Sequence, residues 1–320
     1  MKKRRIIGVI SFVFLIMVSF FLMSKTGLTL SALLSGDPFN SKELLLPSKP
    51  VSASPSSHET EKTEPEEFQN VHSINILLLG IDRNDQREEY MGVFRSDMIS
   101  LIRFDLNNNK VNVLAIPRDT YTYLPVIDKK DKINHAYAYG SVKDRAVESI
   151  SEAVSQFTGL PVDYYISLDM APVPDIVDDI GGVEVDVEID MKTHGANLSK
   201  GLQVLNGQQA FDYIHWRYSA NGDIDRIKRQ QKFLKALFKQ QKESGKLVEN
   251  VNILWKYKES LKTDLTPAQM IALAKFANEI PDGGINYFTI PGKPQTINKI
   301  SYWMPDLTAT QEILDTSFAE

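Results

Sequence analysis

Residues 74–83 read INILLLGIDR, residues 95–104 read RSDMISLIRF, and residues 111–119 read VNVLAIPRD. Each segment contains a short apolar run rich in Ile, Val and Leu, which is typical of a buried strand. The polar stretch between the second and third runs, DLNNNK at 105–110, has the composition of a hairpin turn. The two runs are therefore predicted to be antiparallel neighbours. Helical patterns alternate with further strand-like runs downstream, which predicts a three-layer α/β fold around a mixed sheet.

Charged residues border all three runs. If the first run also lies antiparallel to the second, the end of the first, the start of the second and the end of the third share one edge of the sheet. That edge then carries the following side chains: Asp82, Arg83, Arg95, Asp97, Arg118 and Asp119. Carboxylates suit a hard divalent cation, and guanidinium groups suit a phosphate-bearing ligand. The alternative is a set of surface salt bridges at strand ends.

A second charged segment, YIHWRYSANGDIDRIKRQQ, occupies residues 213–231. A helix is predicted to begin near Ile224, with Asp223 as its N-cap. Arg226 and Gln230 are four residues apart and therefore share one face of that helix. A helix N-terminus that carries arginines in its first turns can bind an anion. The alternative is an amphipathic helix whose basic residues are solvated.

Composition excludes several classes of function. The chain has 320 residues, a net charge of −5 and no cysteine. The absence of cysteine excludes disulfides, thiolate metal sites and a thiol nucleophile. Acidic and basic residues are intermixed, so no broad surface for nucleic acid is predicted.

The N-terminus predicts a membrane anchor. An apolar run at 6–23 follows four basic residues at 2–5, and its length is close to that needed to span a hydrocarbon core of roughly 30 Å. The basic flank predicts a cytoplasmic tail at 1–5 and an extracytoplasmic remainder, so the protein is expected in the cell membrane with a single span. A cleaved signal peptide is the alternative. The Ser-, Pro- and Glu-rich composition that follows predicts a flexible linker at 24–70.

Five motifs together resemble the LytR–CpsA–Psr family of cell-envelope phosphotransferases. They occur in family order: Arg95-Ser-Asp97, Ile116-Pro-Arg118-Asp119, Lys132-Ile-Asn-His-Ala, Leu205-Asn-Gly-Gln-Gln-Ala, and Gly222-Asp223 through Arg229-Gln230. The resemblance implies an α–β–α sandwich that binds a polyprenyl-diphosphate-linked glycopolymer. We accordingly expect a catalytic domain at 71–244 and a C-terminal extension at 245–320 that packs on the same domain.

The resemblance also implies a reaction and the residues that carry it. Members transfer the glycopolymer to peptidoglycan with Mg²⁺ assisting, and Asp82 and Asp97 resemble the metal-binding carboxylates. Taken with the predicted sheet edge, the expected diphosphate-binding residues are Arg83, Arg95, Arg118, His215, Arg217, Arg226 and Gln230. The expected catalytic residues are Arg118, Arg217, Asp223 and Asp119. His215 stands where many members have the first arginine of an Arg-x-Arg pair.

Several alternatives remain open at this point. Asp223 and Asp119 are both candidates for the general base, and the sequence does not choose between them. Water in place of the sugar hydroxyl would make the protein a hydrolase of the lipid diphosphate. A non-catalytic sensor of lipid-linked polymer would use the same binding residues. The expected partners are the lipid-linked glycopolymer, the peptidoglycan acceptor and the membrane, and no nucleic acid.

Overall fold

A computed structural model describes residues 72–82, 94–220, 222–244, 256–281 and 283–319. The strands are β1 (Ser73–Asp82), β2 (Arg95–Asp105), β3 (Lys110–Ala115), β4 (Tyr121–Leu124), β5 (Lys129–Lys132), β6 (Tyr164–Asp169), β7 (Val183–Val187), β8 (Gly201–Leu205), β9 (Leu261–Thr263), β10 (Ile285–Thr289), β11 (Gly292–Ile297) and β12 (Ile300–Pro305). The α-helices are α1 (His135–Ser141), α2 (Ala146–Thr158), α3 (Val173–Asp179), α4 (Gly207–His215), α5 (Asp223–Ser244), α6 (Pro267–Glu279) and α7 (Leu307–Ser317).

A central sheet of six strands has the order β10-β3-β2-β1-β6-β9. The strand β2 is antiparallel to β3, as the sequence predicted, and it is also antiparallel to β1, which was the condition for the shared sheet edge. The strands β6 and β10 are parallel to β1 and β3, and β9 is antiparallel to β6. The prediction of a mixed α/β fold around a mixed central sheet is therefore confirmed. Three two-stranded hairpins, β4-β5, β7-β8 and β11-β12, lie outside this sheet.

Helices cover both faces of the sheet because alternate side chains of the central strands point in opposite directions. On one face, Ile76 and Leu78 of β1 belong to a buried cluster with side chains of α3, α4, α5 and α6. On the other face, Leu77 and Leu79 belong to a second cluster with side chains of α1, α2 and α7. Strands buried on both sides must be apolar throughout, which explains the uninterrupted run in the sequence.

Local signals placed most helix ends correctly. The predicted helix at 146–157 is α2, and it ends at Gly159, whose φ of 72° lies in the left-handed region that favours glycine. The predicted capping box of α6 is present, with Thr266 accepting a hydrogen bond from the backbone of Gln269. One detail was wrong: Asp223 is the first residue of α5 and not the residue before it. The helix therefore starts one residue earlier than predicted.

The predicted anchor at 6–23 and linker at 24–70 lie outside the described residues. Within the described ranges, no helix has the length and apolar character required to cross a membrane. Residues beyond 244 contribute to the central sheet, because β9 and β10 form its two edge strands. The fold of the sheet thus depends on both halves of the chain.

Candidate active site at the bulged edge of the sheet

A β-bulge places Asp97 at the edge of the sheet. Gly80 of β1 pairs with Met98 of β2, but the next residue of β1, Ile81, pairs with Ser96. Asp97 is therefore the extra residue of the bulge, and bulges of this kind often re-aim a side chain beside an active site. A Cβ atom at Gly80 would lie 3.0 Å from the Cβ of Met98, so the close approach of the strands favours glycine there.

Two carboxylates and two guanidinium groups form a cluster at this bulge, which we call the charged cluster (Asp97, Arg118, Asp223 and Arg226). Arg118 Nη1 donates a hydrogen bond to Asp97 Oδ1 at 2.6 Å, and Arg118 Nε lies 3.8 Å from Asp223 Oδ1. Arg226 Nη2 lies 2.5 Å from the same Asp223 oxygen and 3.4 Å from the backbone carbonyl oxygen of Asp97. The cluster therefore joins β2, the segment after β3 and the start of α5.

The two carboxylates of the charged cluster differ in acidity. Burial raises the pKa of Asp97, but the guanidinium groups of Arg118 and Arg226 outweigh it and hold that pKa below its ordinary value. Burial also raises the pKa of Asp223, and the same two arginines do not offset the effect, so that pKa lies above its ordinary value. Asp97 is thus a permanent anion near neutral pH, whereas Asp223 is the stronger base.

Several buried atoms of the charged cluster lack hydrogen-bond partners among the described residues. They are Oδ2 of Asp223 and Nε of both Arg118 and Arg226. A buried polar group without a partner costs free energy, so native sites that contain one often receive the partner from a ligand. A ligand with anionic oxygens and a hydroxyl group would satisfy both kinds of atom here.

Arg217 is exposed and lies close to the charged cluster. Its charge lowers the pKa of Asp97, although less than the two buried arginines do. Arg226, by contrast, is 1% exposed and links the two acidic residues of the cluster. The structure therefore offers Arg217 and part of Arg118, whose side chain is 15% exposed, to an incoming ligand.

Other predicted site residues have partners of their own. Asp119 lies next to Arg118 and pairs with Lys132 at 2.9 Å. Gln230 donates a hydrogen bond to the carbonyl of Ile214 at 3.3 Å. His215 donates from Nδ1 to the carbonyl of Phe211 at 2.9 Å, and its ring stacks on the Phe211 ring with centroids 3.9 Å apart. No observation assigns these residues to a ligand.

Two further predicted site residues, Asp82 and Arg95, lie at the end of β1 and the start of β2. The backbone of Asp82 pairs with that of Arg95, so the antiparallel register brings these two residues to the same edge of the sheet. Arg83 lies outside the described residues.

Sequence reasoning missed the residues that hold the segment around Arg217. Arg229 Nε donates to Glu188 Oε1 at 2.6 Å, and Arg229 Nη1 donates to the carbonyl of Trp216 at 3.0 Å. The hydroxyl of Tyr213 donates to the other Glu188 oxygen at 2.9 Å. Glu188 belongs to an alternating run of valines and acidic residues, and that pattern gives no signal that this carboxylate alone reaches a buried arginine.

A narrow cavity of about 20 Å³, large enough for roughly one water molecule, adjoins the charged cluster between α5 and the sheet. Its lining includes two charged side chains, Asp97 and Arg118, and apolar side chains such as Ile227 and Leu234.

The Asp97 carboxylate at the bulge is of the chemical kind that binds a hard divalent cation. Asp97 stays ionised near neutral pH, and Asp82 lies at the adjoining end of β1. Mg²⁺ commonly takes one or two carboxylates and completes its coordination with phosphate oxygens and water. In the part of the chain that the structure describes, no group of three or more acidic, histidine or cysteine residues could hold a metal. A magnesium ion here would therefore depend on its ligand as well as on these two aspartates.

Comparison with known proteins gives a consistent result. The family model described as the LytR_cpsA_psr family matches residues 46–318. A relative from Bacillus cereus, named polyisoprenyl-teichoic acid–peptidoglycan teichoic acid transferase TagU, is 35% identical over 214 residues, which are 67% of this chain and 67% of the relative. A protein of the same name from Bacillus mycoides is 36% identical over 203 residues, 63% of this chain and 64% of the relative. The chain thus spans about two thirds of the length of these curated relatives.

Solved structures agree with the sequence comparison. The crystal structure of B. subtilis TagV superimposes with a TM-score of 0.63 and 27% identity, covering 76% of this chain and 95% of that one. A structure of TagT bound to LI-WTA has a TM-score of 0.63 and 26% identity, covering 78% of this chain and 91% of that one.

Proposed function

The chain belongs to the LytR–CpsA–Psr family, and on that premise we propose that it transfers a glycopolymer from a polyprenyl-diphosphate carrier to a hydroxyl group of peptidoglycan. Relatives named teichoic acid transferases support a polymer of the wall teichoic acid kind. The apolar run at 6–23 supports a role at the outer face of the cell membrane, where both substrates are found.

The observation that carries this proposal is the charged cluster at the bulged sheet edge. In the reaction, the acceptor oxygen attacks the phosphorus atom bonded to the sugar, and a phosphodiester bond forms. The bond from that phosphorus to the bridging oxygen breaks, and polyprenyl phosphate leaves with the electron pair. Such a transfer depends on charge neutralisation and alignment more than on a protein nucleophile. Arg118 and Arg217 both have exposed surface for this purpose.

Asp223 is the better candidate for the general base. Its pKa is raised by burial, and its Oδ2 atom has no hydrogen-bond partner among the described residues. Asp119, the other candidate, pairs with Lys132 at 2.9 Å. We therefore assign to Asp223 the role of accepting the proton from the attacking hydroxyl group.

Asp97 and Asp82 are the residues that would hold Mg²⁺, which when bound would neutralise negative charge on the diphosphate oxygens. Asp97 has a second role that needs no metal, because its carboxylate holds the Arg118 guanidinium in place at 2.6 Å. The narrow cavity supports a position for the lipid end of the carrier, since apolar side chains such as Ile227 and Leu234 belong to its lining. At its present volume the cavity must widen to admit an isoprenoid chain.

Product analysis tests the proposal. The full-length protein is incubated with lipid-linked polymer and soluble peptidoglycan oligomers, and the products are separated and identified. A phosphodiester-linked product supports transfer. A free phosphorylated glycan would instead indicate a hydrolase, and binding without turnover would indicate a sensor.

A matched pair of variants assigns the activity to the proposed site. Arg118→Ala removes an arginine of the charged cluster and should abolish transfer. Arg145→Ala removes an arginine directly before α2 that pairs with Glu148 and Glu152, and it should leave transfer unchanged.

A further inference from the structure

The exposed ring of Tyr218, supported by His194 and the buried Trp216, forms an aromatic platform beside Arg217. The ring of Tyr218 stacks on the ring of His194, with centroids 3.5 Å apart and an angle of 7° between the planes. The buried ring of Trp216 meets Tyr218 edge-on at 5.3 Å. Tyr218 is nevertheless 61% exposed. Because His194 covers one face of the Tyr218 ring, the opposite face is the one that solvent reaches.

The turn of the hairpin that carries His194 uses left-handed backbone. His194 has a φ of 54° and Gly195 has a φ of 88°, so two successive residues occupy the left-handed region. Met191 and Leu198 pair at the base of the hairpin, and Lys192 Nζ donates hydrogen bonds to Asn197 and Ser199 beside it. These contacts fix His194 beneath Tyr218.

A groove of about 460 Å³ begins at the residue after Tyr218. Its volume lies in the range of small-ligand pockets, about 300–1,000 Å³. The lining residues are Glu188, Ile189, Ser219, Ala220, Asp225, Lys228, Arg229 and Lys232. The Oγ atom of Ser219 is buried and has no hydrogen-bond partner among the described residues. The lining includes both acidic and basic side chains, which suits a neutral ligand rich in hydroxyl groups more than a polyanion.

The groove and the narrow cavity lie on nearly opposite faces of α5. The cavity is lined by Ile227, Gln230 and Leu234, and the groove is lined by Lys228 and Lys232. Successive helix residues are rotated by about 100°, so these two sets point away from each other. In an in-line displacement, the attacking and leaving oxygens lie on opposite sides of the phosphorus atom. The groove is therefore the side left for the acceptor if the leaving lipid phosphate occupies the cavity side.

We infer that the platform and the groove form the binding site for the peptidoglycan glycan strand, the acceptor in the proposed function on which this inference rests. A sugar ring of the strand stacks on the exposed face of Tyr218, since an aromatic ring offers a large rigid apolar surface at little cost in conformational entropy. Hydroxyl groups of the neighbouring sugar bond to Ser219 and to the charged side chains of the groove. Asp223, at the first turn of the same helix, then receives the proton of the attacking hydroxyl.

The test uses full-length protein in detergent with uncrosslinked, soluble peptidoglycan glycan oligomers as the acceptor probe. Tyr218→Ala should raise the KM for the oligomer about tenfold, the loss expected for one aromatic contact, and leave kcat and the KM of the lipid-linked donor unchanged. Tyr218→Phe keeps the ring and should behave like the wild type. Ser219→Ala, which removes the unpartnered hydroxyl, should raise the same KM by a smaller factor.

A binding measurement separates this inference from the proposed function. The tryptophan fluorescence, to which Trp216 contributes as one of three tryptophans, should change as the oligomer is titrated into the wild type, and the affinity should fall in Tyr218→Ala. An unchanged oligomer affinity and KM in both Tyr218→Ala and Ser219→Ala would overturn the inference while leaving transferase activity established. A raised donor KM with an unchanged acceptor KM would also overturn it, because the platform would then serve the polymer. If the wild type forms no phosphodiester, the proposed function fails, and the titration still decides whether the platform binds glycan.

Discussion

At the scale of single residues, Asp97 contacts two arginines of the charged cluster, and no pattern in the sequence indicates both contacts. The bulge places its carboxylate against Arg118, and its backbone carbonyl lies 3.4 Å from Arg226 Nη2. A change of this side chain therefore affects a pair of arginines as well as any bound cation. A substitution of Asp97 should therefore affect catalysis more than folding, because the residue lies near the start of β2, where the charged groups gather.

We predict that Asp97→Asn folds normally but lowers turnover about 100-fold or more, since a neutral amide neither anchors Arg118 nor binds a cation as strongly. Turnover of the purified protein is measured against Mg²⁺ concentration. Asp186→Asn, an exposed aspartate on β7, is the matched control. Unchanged turnover and metal dependence in Asp97→Asn would remove Asp97 from the site.

The raised pKa of Asp223 predicts the direction in which the transfer rate changes with pH. Its raised pKa means that it takes up a proton at a higher pH than an ordinary aspartate does. The base must be ionised to accept a proton, so the rate should fall as pH drops through this raised pKa. Asp223→Asn should lower the rate about 100-fold and abolish this acidic limb, as measured from pH–rate profiles of both proteins. A limb that persists in Asp223→Asn belongs to another group.

The raised pKa of Asp223 makes folding stability change with pH in the direction opposite to the rate. A carboxyl group whose pKa is higher in the folded than in the unfolded state contributes stability below the unfolded pKa. That contribution is lost as pH rises through the folded pKa. The ligand-free protein thus gives up part of its stability in the pH range where Asp223 becomes an active base.

At the scale of elements, α5 organises the site. Its first residue is Asp223, its buried Arg226 joins Asp223 to Asp97, and its buried Arg229 holds both Glu188 and the carbonyl of Trp216. Through these contacts α5 fixes the position of Asp223, the proposed base, and of the segment that carries Arg217. Farther along, Leu237 and Phe238 pack into the core and anchor the helix.

We predict that Arg229→Ala lowers the free energy of unfolding by about 2–3 kcal/mol, because it leaves a carboxylate and a carbonyl without their buried donor. This loss of stability is small for a broken buried ion pair, since Glu188 is partly exposed to solvent. Urea denaturation measures the change. Lys228→Ala, at the exposed neighbouring position, is the control and should change the unfolding free energy by less than about 0.5 kcal/mol. Equal effects of the two substitutions would contradict the structural role of Arg229.

At the scale of the whole molecule, the sheet is closed by segments distant in sequence. Residues 285–289 of β10 pair with residues 111–115 of β3, and β9 pairs with β6. Met270 and Leu273 of α6 are fully buried in one core cluster, and Leu314 and Phe318 are buried in the other. The residues after 244 therefore supply part of both hydrophobic layers.

We predict that truncation after Ser244 prevents cooperative folding, because the remaining sheet loses both edge strands and exposes the apolar surface that α6 and α7 cover. Thermal unfolding followed by circular dichroism should show no sharp transition for the truncated chain. Deleting residues 35–67 instead, whose composition supports no core, should leave the transition of the domain unchanged. A sharp transition in the truncated chain would show that the first part folds independently.

The sequence by itself determined the local structure and the sheet edge at which the charges gather. Apolar runs of strand length predicted β1, β2 and β3, the turn at 105–110 predicted the antiparallel pairing of β2 with β3, and this pairing brought Asp97 and Arg118 to one edge. These features depend on residues close in sequence, whose periodicity and turn chemistry act before any distant contact forms.

Only the tertiary structure decided the acidity, the exposure and the partners of each residue at the site. The bulge at Asp97, the raised pKa of Asp223 and the pairing of Glu188 with Arg229 all depend on which groups become buried together. The stacking of Tyr218 on His194 likewise joins segments more than 20 residues apart. Burial and distant partners set the pKa, exposure and orientation of a side chain, and a sequence pattern of residue types does not contain that information.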